Sequence, residues 1–334
     1  MRLFGPWSPR RGLILLYHRV AQPRRDPQLL AVAPDGFEAH LAMLRQRTNI
    51  MRLSEMVDRA AAGKALPRRA VAITFDDGYT DNVRIAEPIL VRAQLPATLF
   101  VATGYVETGR PYWWDAIDTA ILGSPLPSRL ELPFPAGPRH WSISDEPTGR
   151  DTWNVLSESA PGSRRAAYVE IMPAVKPLGP PARERILDAL RRACGVDLAG
   201  ELDARPMTPQ NVAEMDRRGI IEIGAHTVDH PQLSLLDPAQ QDDEIAKSAR
   251  TVAQWTGRAP ALFAYPYGSN ADYDADSVKA VKRAGFRAAC SNFPGLVDAT
   301  TAAFELPRML VRNVSAEDLE CLIDSAFGAA ATKP

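Results

Sequence analysis

Two adjacent carboxylates, Asp76 and Asp77, and two histidines four apart, His226 and His230, are the residues of this chain best placed to do chemistry. Adjacent residues leaving a strand point in different directions, so one acid can ligate a metal while the other stays free as a base. Two imidazoles at short spacing, joined by a carboxylate from elsewhere, make a common zinc set. That set leaves a divalent ion with net positive charge, as a Lewis acid needs. His18 stands apart near the N-terminus, one of five histidines. A lone histidine serves structure as readily as catalysis. Each feature also has a plainer reading: Asp77-Gly78 as a turn dipeptide, and His226 to His230 as a polar turn.

Each of these residues follows a run of strand type. Residues 13–17 precede His18, 71–75 precede Asp76, 220–225 precede His226, and 261–265 precede Pro266-Tyr267-Gly268. Further strands are expected at 96–101, 286–291 and 304–311. Helical patterns fill the intervals. Phe37, Leu41 and Leu44 form one stripe, with His40 off it on the solvated face. Other helices are expected over 53–62, from Asp81 or Asn82 to about 93 with a kink at Pro88, and from Thr208-Pro209 to 219. The last three run from Asp237-Pro238 to about 255, over 276–284, and over 315–327. This alternation predicts an α/β fold, a distorted (β/α) barrel of about seven parallel strands. In a barrel all C-terminal strand ends open on one face, so the scattered polar features become one site.

The regular pattern breaks near Thr103. Residues 108–206 hold 13 of the 29 prolines and four of the six tryptophans. This stretch reads as a large insertion or lid subdomain between barrel parts at 1–107 and 207–334. Within it a hairpin is expected over 130–144, and helices over 164–175 and 182–194. Trp113 and Trp114 could stack against a sugar ring; burial inside the insertion explains them as well.

Thr74-Phe75-Asp76-Asp77-Gly78 resembles the first motif of the polysaccharide deacetylases, the NodB-type domain of carbohydrate esterase family four. His226-Thr227-Val228-Asp229-His230 is similar to the second motif and Pro266-Tyr267-Gly268 to the third. The Tyr17-His18 pair on the first strand is similar to the branch of biofilm-polysaccharide N-deacetylases. The likeness spans roughly residues 10–106 and 207–313 and leaves the middle unexplained. It implies removal of an acetyl group from an N-acetylated sugar or polysaccharide precursor. Asp77, His226 and His230 would hold a divalent metal, with Zn²⁺ the expected ion. Asp76 would be the base, His18 the acid, and the Tyr267 N–H a donor to the oxyanion; Tyr267 with Trp113 and Trp114 would contact the sugar. The usual arginine two residues before the third-motif proline is Ala264 here. Arg308 resembles the late-strand arginine that replaces it in some members, although a lone arginine is otherwise a surface charge.

Composition sets outer bounds. Of 334 residues, 46% are hydrophobic and 24% charged, ordinary for a globular protein, and the net charge of −1 gives no support for a nucleic-acid partner. No stretch approaches the length of a membrane span. Cys194, Cys290 and Cys321 form no disulfide framework or metal knuckle. The apolar run at 13–16 is too short for a signal peptide. A cytoplasmic location is therefore expected, with loose peripheral membrane association allowed. Two other functions fit the same residues: an O-acetyl carbohydrate esterase, and a glycan-binding protein without turnover.

Overall fold

The computed structural model describes residues 11–198 and 204–328. The sequence suggests an irregular lead-in over residues 1–12 and a C-terminal tail to Pro334; residues 1–10 and 329–334 lie outside the described residues, and Gly12 already belongs to a strand. Seven parallel strands carry the site: β1 (Gly12–Tyr17), β2 (Ala70–Phe75), β3 (Ala97–Val101), β4 (Ile221–Ala225), β5 (Leu262–Ala264), β6 (Ala288–Cys290) and β7 (Met309–Leu310). Their spatial order is β6-β5-β4-β3-β2-β1-β7, and a two-residue strand at Asn49–Ile50 adds to β2. β1 and β2 are buried along their whole length. That is why they read as continuous apolar runs rather than alternating ones. The sheet curls into a half-barrel. A single parallel bridge from Leu306 to Cys290 brings the approach to β7 against β6, so this last segment touches both sheet edges.

Helices cover the outside, and their ends follow the expected chemistry. Pro209–Arg218 and Pro238–Thr256 begin with reciprocal capping boxes at Thr208 and Asp237. A third box, at Asp274, starts the helix Ala275–Arg283. The helix after β2 departs from expectation. Asp81 caps nothing; it pairs with Arg19 at 2.9 Å. The chain takes a π turn over Asn82–Ala86 before the regular helix Glu87–Ala93. The π turn places Asn82, whose Nδ2 donates to the carbonyl of His18 at 2.9 Å.

His40 also corrects the sequence reading. It is fully buried on the helix Pro34–Arg47 and bonds to the Tyr17 hydroxyl and the Val314 carbonyl. Two partners from distant segments make a polar ring tolerable in the core.

The stretch between β3 and β4 folds around its own apolar cluster. The helix Trp113–Ile121, the antiparallel hairpin Arg129–Phe134 with Gly137–Ser142, and the helices Ser163–Val175 and Pro180–Cys194 all contribute to it. No helix among the described residues is long and apolar enough to cross a membrane.

Candidate active site

Register assembles the site. Tyr17 pairs with Phe75 across β1 and β2, so His18 and Asp76 leave neighbouring strands at one level. Phe75 pairs with Leu99, Val101 with Ala225, and Ala225 with Phe263, which brings His226 to the same rim. A cavity of about 480 Å³ opens there. His18, Asp76, Asp77, His226, His230 and Tyr267 line it, and so do Trp113 and Trp114. Arg308 approaches from behind.

The backbone is bent where these side chains are delivered. Asp77, Thr227, His230 and Tyr267 all have positive φ, between 50° and 76°. Such conformations cost on the order of 1–3 kcal/mol each in non-glycine residues and gather at functional sites. Gly268 (φ 71°) follows Tyr267; a Cβ there would lie 2.8 Å from the Asn292 amide nitrogen. The tight third-motif turn therefore needs glycine.

The two acids sit in opposite environments. Asp76 receives Arg308 Nη1 on Oδ1 and Nη2 on Oδ2, both at 2.7 Å. Burial alone would raise its pKa, but Arg308, helped by His226 and His18, overrides this and holds the carboxyl below its ordinary value. Among the described residues no arginine or lysine forms an ion pair with Asp77, and Arg308 and Arg19 act on it only at a distance. Burial first, then the charges of Asp76 and Asp115, push it well above the carboxylate range.

The histidines complete a ligand-like triangle. His226 Nδ1 lies 2.7 Å from the Ala264 carbonyl, which can only accept, so Nδ1 carries the proton and Nε2 is free. Thus Ala264, standing where an arginine was expected, contributes its backbone. Nε2 of His226 is 3.7 Å and Nε2 of His230 is 3.4 Å from the same Asp77 oxygen. Bonds of about 2.0–2.1 Å at tetrahedral angles place neighbouring ligand atoms about 3.4 Å apart. All three side chains are buried, with donor atoms within 4.8 Å of one another. Nδ1 of His230 is buried without a protein partner. Burial lowers the pKa of both rings, His230 further because His226 and Arg183 add to it, so both are neutral. These residues fit a divalent ion.

The expected acid and aromatic residues are also at the cavity. His18 keeps part of its surface open, yet its Nδ1 is buried without a partner, and burial brings its pKa down to about 4. Trp113 and Trp114 are 3% and 6% exposed, so the burial reading holds, but both still border the cavity. Trp114 and Tyr267 flank the His230 ring at 4.9 and 4.5 Å. Trp114 Nε1 donates to the Tyr79 hydroxyl, which donates to Asp115; the Tyr112 hydroxyl donates to the Asp77 carbonyl.

Two supporting residues were not anticipated. Glu244, inside the helix Pro238–Thr256, accepts the amides of Val228 and Asp229 at 2.9 and 3.0 Å, and burial pushes its pKa to about 7. Arg183, only 3% exposed, donates to the carbonyls of Asp229, His230 and Lys176. Nothing in the sequence singles out either residue; the one available signal for Glu244 is its place on the helix following the histidine loop.

A curled parallel sheet with an acid pair and two histidines at its C-terminal rim defines a hydrolase-type site in a NodB-like barrel. The polysaccharide deacetylase family profile matches residues 63–126 and 184–289, just over half of the chain, and the chain belongs to that family. YxkH of Bacillus subtilis (strain 168), whose name assigns it to the polysaccharide deacetylases, is 29% identical over 305 residues, covering 91% of this chain and 72% of that protein. The poly-β-1,6-N-acetyl-D-glucosamine N-deacetylase of Escherichia coli (strain K12) is 30% identical over 105 residues, 31% of this chain but only 16% of that larger protein. Among solved structures, the Streptococcus pyogenes deacetylase PplD in complex with acetate shares the fold with a TM-score of 0.60 at 18% identity, covering 95% of this chain and 99% of that one.

Proposed function

We propose that this protein is a metal-dependent deacetylase acting on the acetamido group of an N-acetylated sugar or glycan precursor. The observation that carries the reading is the contrast between two adjacent carboxylates. Asp76 is ionised and clamped by Arg308; Asp77 forms no ion pair with arginine or lysine among the described residues and faces two neutral imidazoles. Carboxyl groups whose environments drive them apart mark a division of labour.

Asp77, His226 and His230 would hold the ion, for which one oxygen and two nitrogens suit Zn²⁺. When bound there, a divalent cation supplies a Lewis acid that polarises the acetyl carbonyl and lowers the pKa of nearby water towards about 7. Asp76, oriented by Arg308, accepts the proton of the attacking water. The hydroxide oxygen bonds to the acetyl carbon, and the Tyr267 N–H, set by the positive φ of that residue, faces the developing oxyanion. His18 protonates the nitrogen as the C–N bond breaks, releasing acetate and the free amine. Its low pKa makes it a ready donor that must first be loaded with a proton.

Metal analysis joined to acetate release tests the reading, with N-acetylhexosamine glycosides compared against O-acetylated ones. Acetate from the amides in zinc-loaded protein is expected. Release from the esters alone would move the assignment to an esterase, and binding without release from either would make it a glycan-binding protein.

A further inference from the structure

The cavity has a second end that the chemistry does not use. The helix Ser163–Val175 turns Tyr168 and Ile171 into the cluster beneath it. Val169, Met172 and Pro173, spaced i, i+3 and i+4, line the cavity together with Tyr168, and Lys176 at i+7 continues the stripe. A surface helix ordinarily presents polar residues on its second face. Here the second face carries Ala166, Val169, Met172 and Pro173, with Arg165 and Glu170 at its margins. Val155 joins the same wall from the preceding loop, and Leu310 joins from β7.

The apolar surface runs out onto the rim. Seven large apolar side chains are exposed among the described residues, and three are Val155, the adjacent Leu156 and Val169, at 42%, 59% and 45%. Such a concentration beside a cavity mouth marks an interaction site. Its continuity with the catalytic end identifies the occupant as part of the molecule whose acetyl group reaches Asp76 and His18. The polar end closes with Lys176, which pairs with Asp272 at 2.6 Å and lies 4.2 Å above the Tyr267 ring.

We propose that this wall seats an apolar aglycone, so that the substrate is an amphipathic glycoside, an acetylated sugar carrying an alkyl or isoprenoid chain, rather than a bare polysaccharide strand. The inference rests on the deacetylase reading for the orientation of the sugar. The apolar seat itself can be measured without turnover.

The test uses the full chain loaded with zinc and the methyl, butyl and octyl glycosides of N-acetylglucosamine, below micelle-forming concentrations. Transfer of added methylenes from water predicts that kcat/KM rises about tenfold or more from methyl to octyl, through KM. Val169→Asp should flatten the series, whereas Leu322→Asp, at an exposed apolar residue of the helix Ala316–Gly328, should leave the slope unchanged. A flat series in the wild type overturns the proposal. Calorimetry with methyl and octyl glucoside, which carry no acetyl group, separates the two readings. Chain-length-dependent binding without acetate from any glycoside keeps the apolar seat and removes the deacetylase; absence of both removes the seat. Pelleting with phosphatidylcholine vesicles alongside a flat series assigns the rim to a membrane surface and likewise overturns the proposal.

Discussion

Arg308 and Asp76 meet through two parallel hydrogen bonds of 2.7 Å, with both side chains buried. The planar guanidinium fixes both oxygens at once, which a lysine cannot do. Arg308 Nε is also tied to the Ser291 carbonyl at 2.7 Å, so the fork itself is fixed. Arg308→Ala should lower kcat on the order of 10²-fold by releasing the base, with little change in metal content. Leaving a buried carboxylate unpaired should also cost about 3–5 kcal/mol of stability, read from denaturant unfolding. Burial would then act on Asp76 with its largest opposing charge removed, so the acid limb of the pH–rate profile should move to higher pH. An unchanged kcat would remove Arg308 from the site.

Asp76 and Asp77 should separate cleanly on substitution. Asp76→Asn should keep the metal and lose activity, while Asp77→Ala should lose both. Burial and the charges of Asp76 and Asp115 raise the proton affinity of Asp77, while burial lowers that of both imidazoles. Zinc binding should therefore release about one proton, from Asp77. Titration calorimetry in buffers of different ionisation enthalpy counts it; a value near zero would contradict a protonated Asp77.

His18 is predicted to act on the leaving group rather than on the ion. His18→Ala should retain metal and lose about 10²-fold or more in kcat on amide substrates. The loss should shrink with an aryl ester whose leaving group needs no proton. Comparing the two substrates checks the role, and full activity on the amide would refute it.

What the sequence showed was the delivery of residues to the rim, because buried parallel strands are apolar runs with sharp polar ends. The first, second and third motifs each emerge at such an end, and the β1–β2 register brings His18 to Asp76. Two of the insertion helices and the hairpin were legible in the sequence, whereas the helix Trp113–Ile121 was not. What could not be read was tertiary. His40 looks solvated on a helical wheel, yet Val314, from the far end of the chain, gives it a carbonyl in the core. Glu244 and Arg183 were hidden for the same reason: a charge on a helix acquires a role only when a loop from elsewhere presents backbone to it. The left-handed conformations of Asp77, Thr227 and His230 had no glycine to announce them.

Glu244 should make stability depend on pH. Its pKa is raised from an ordinary 4.5 to about 7, so the folded state holds the proton more tightly than the unfolded chain. The associated stability is present below about 4.5 and is lost as pH rises through the folded value. Over that window the loss is on the order of 3 kcal/mol. Glu244→Gln keeps an acceptor oxygen for Val228 and Asp229 but does not titrate. The difference between wild type and variant, followed by urea unfolding from pH 4.5 to 8, should show that slope; parallel curves would rule it out.

Arg183 is expected to hold the histidine loop in its bent form. Its Nη1 reaches the carbonyls of Asp229 and His230 at 3.2 and 3.4 Å, its Nη2 reaches Lys176 at 3.1 Å, and the guanidinium lies 5.4 Å from the Trp113 ring centre. Without Arg183 the Asp229 carbonyl would lose its guanidinium donor and the His230 carbonyl would keep only the Tyr267 hydroxyl at 3.4 Å, loosening the loop around His230 at φ 50°. Outer contacts of this kind are worth about 10–100-fold in metal affinity. Arg183→Met should therefore weaken zinc binding at least about tenfold in competition with a chelator, and Arg183→Lys should recover part of it. Removing the positive charge should also let the His230 pKa rise, so the variant's affinity should fall more steeply on acidification. Wild-type affinity in Arg183→Met would show that the bent loop holds its shape without the helix Pro180–Cys194.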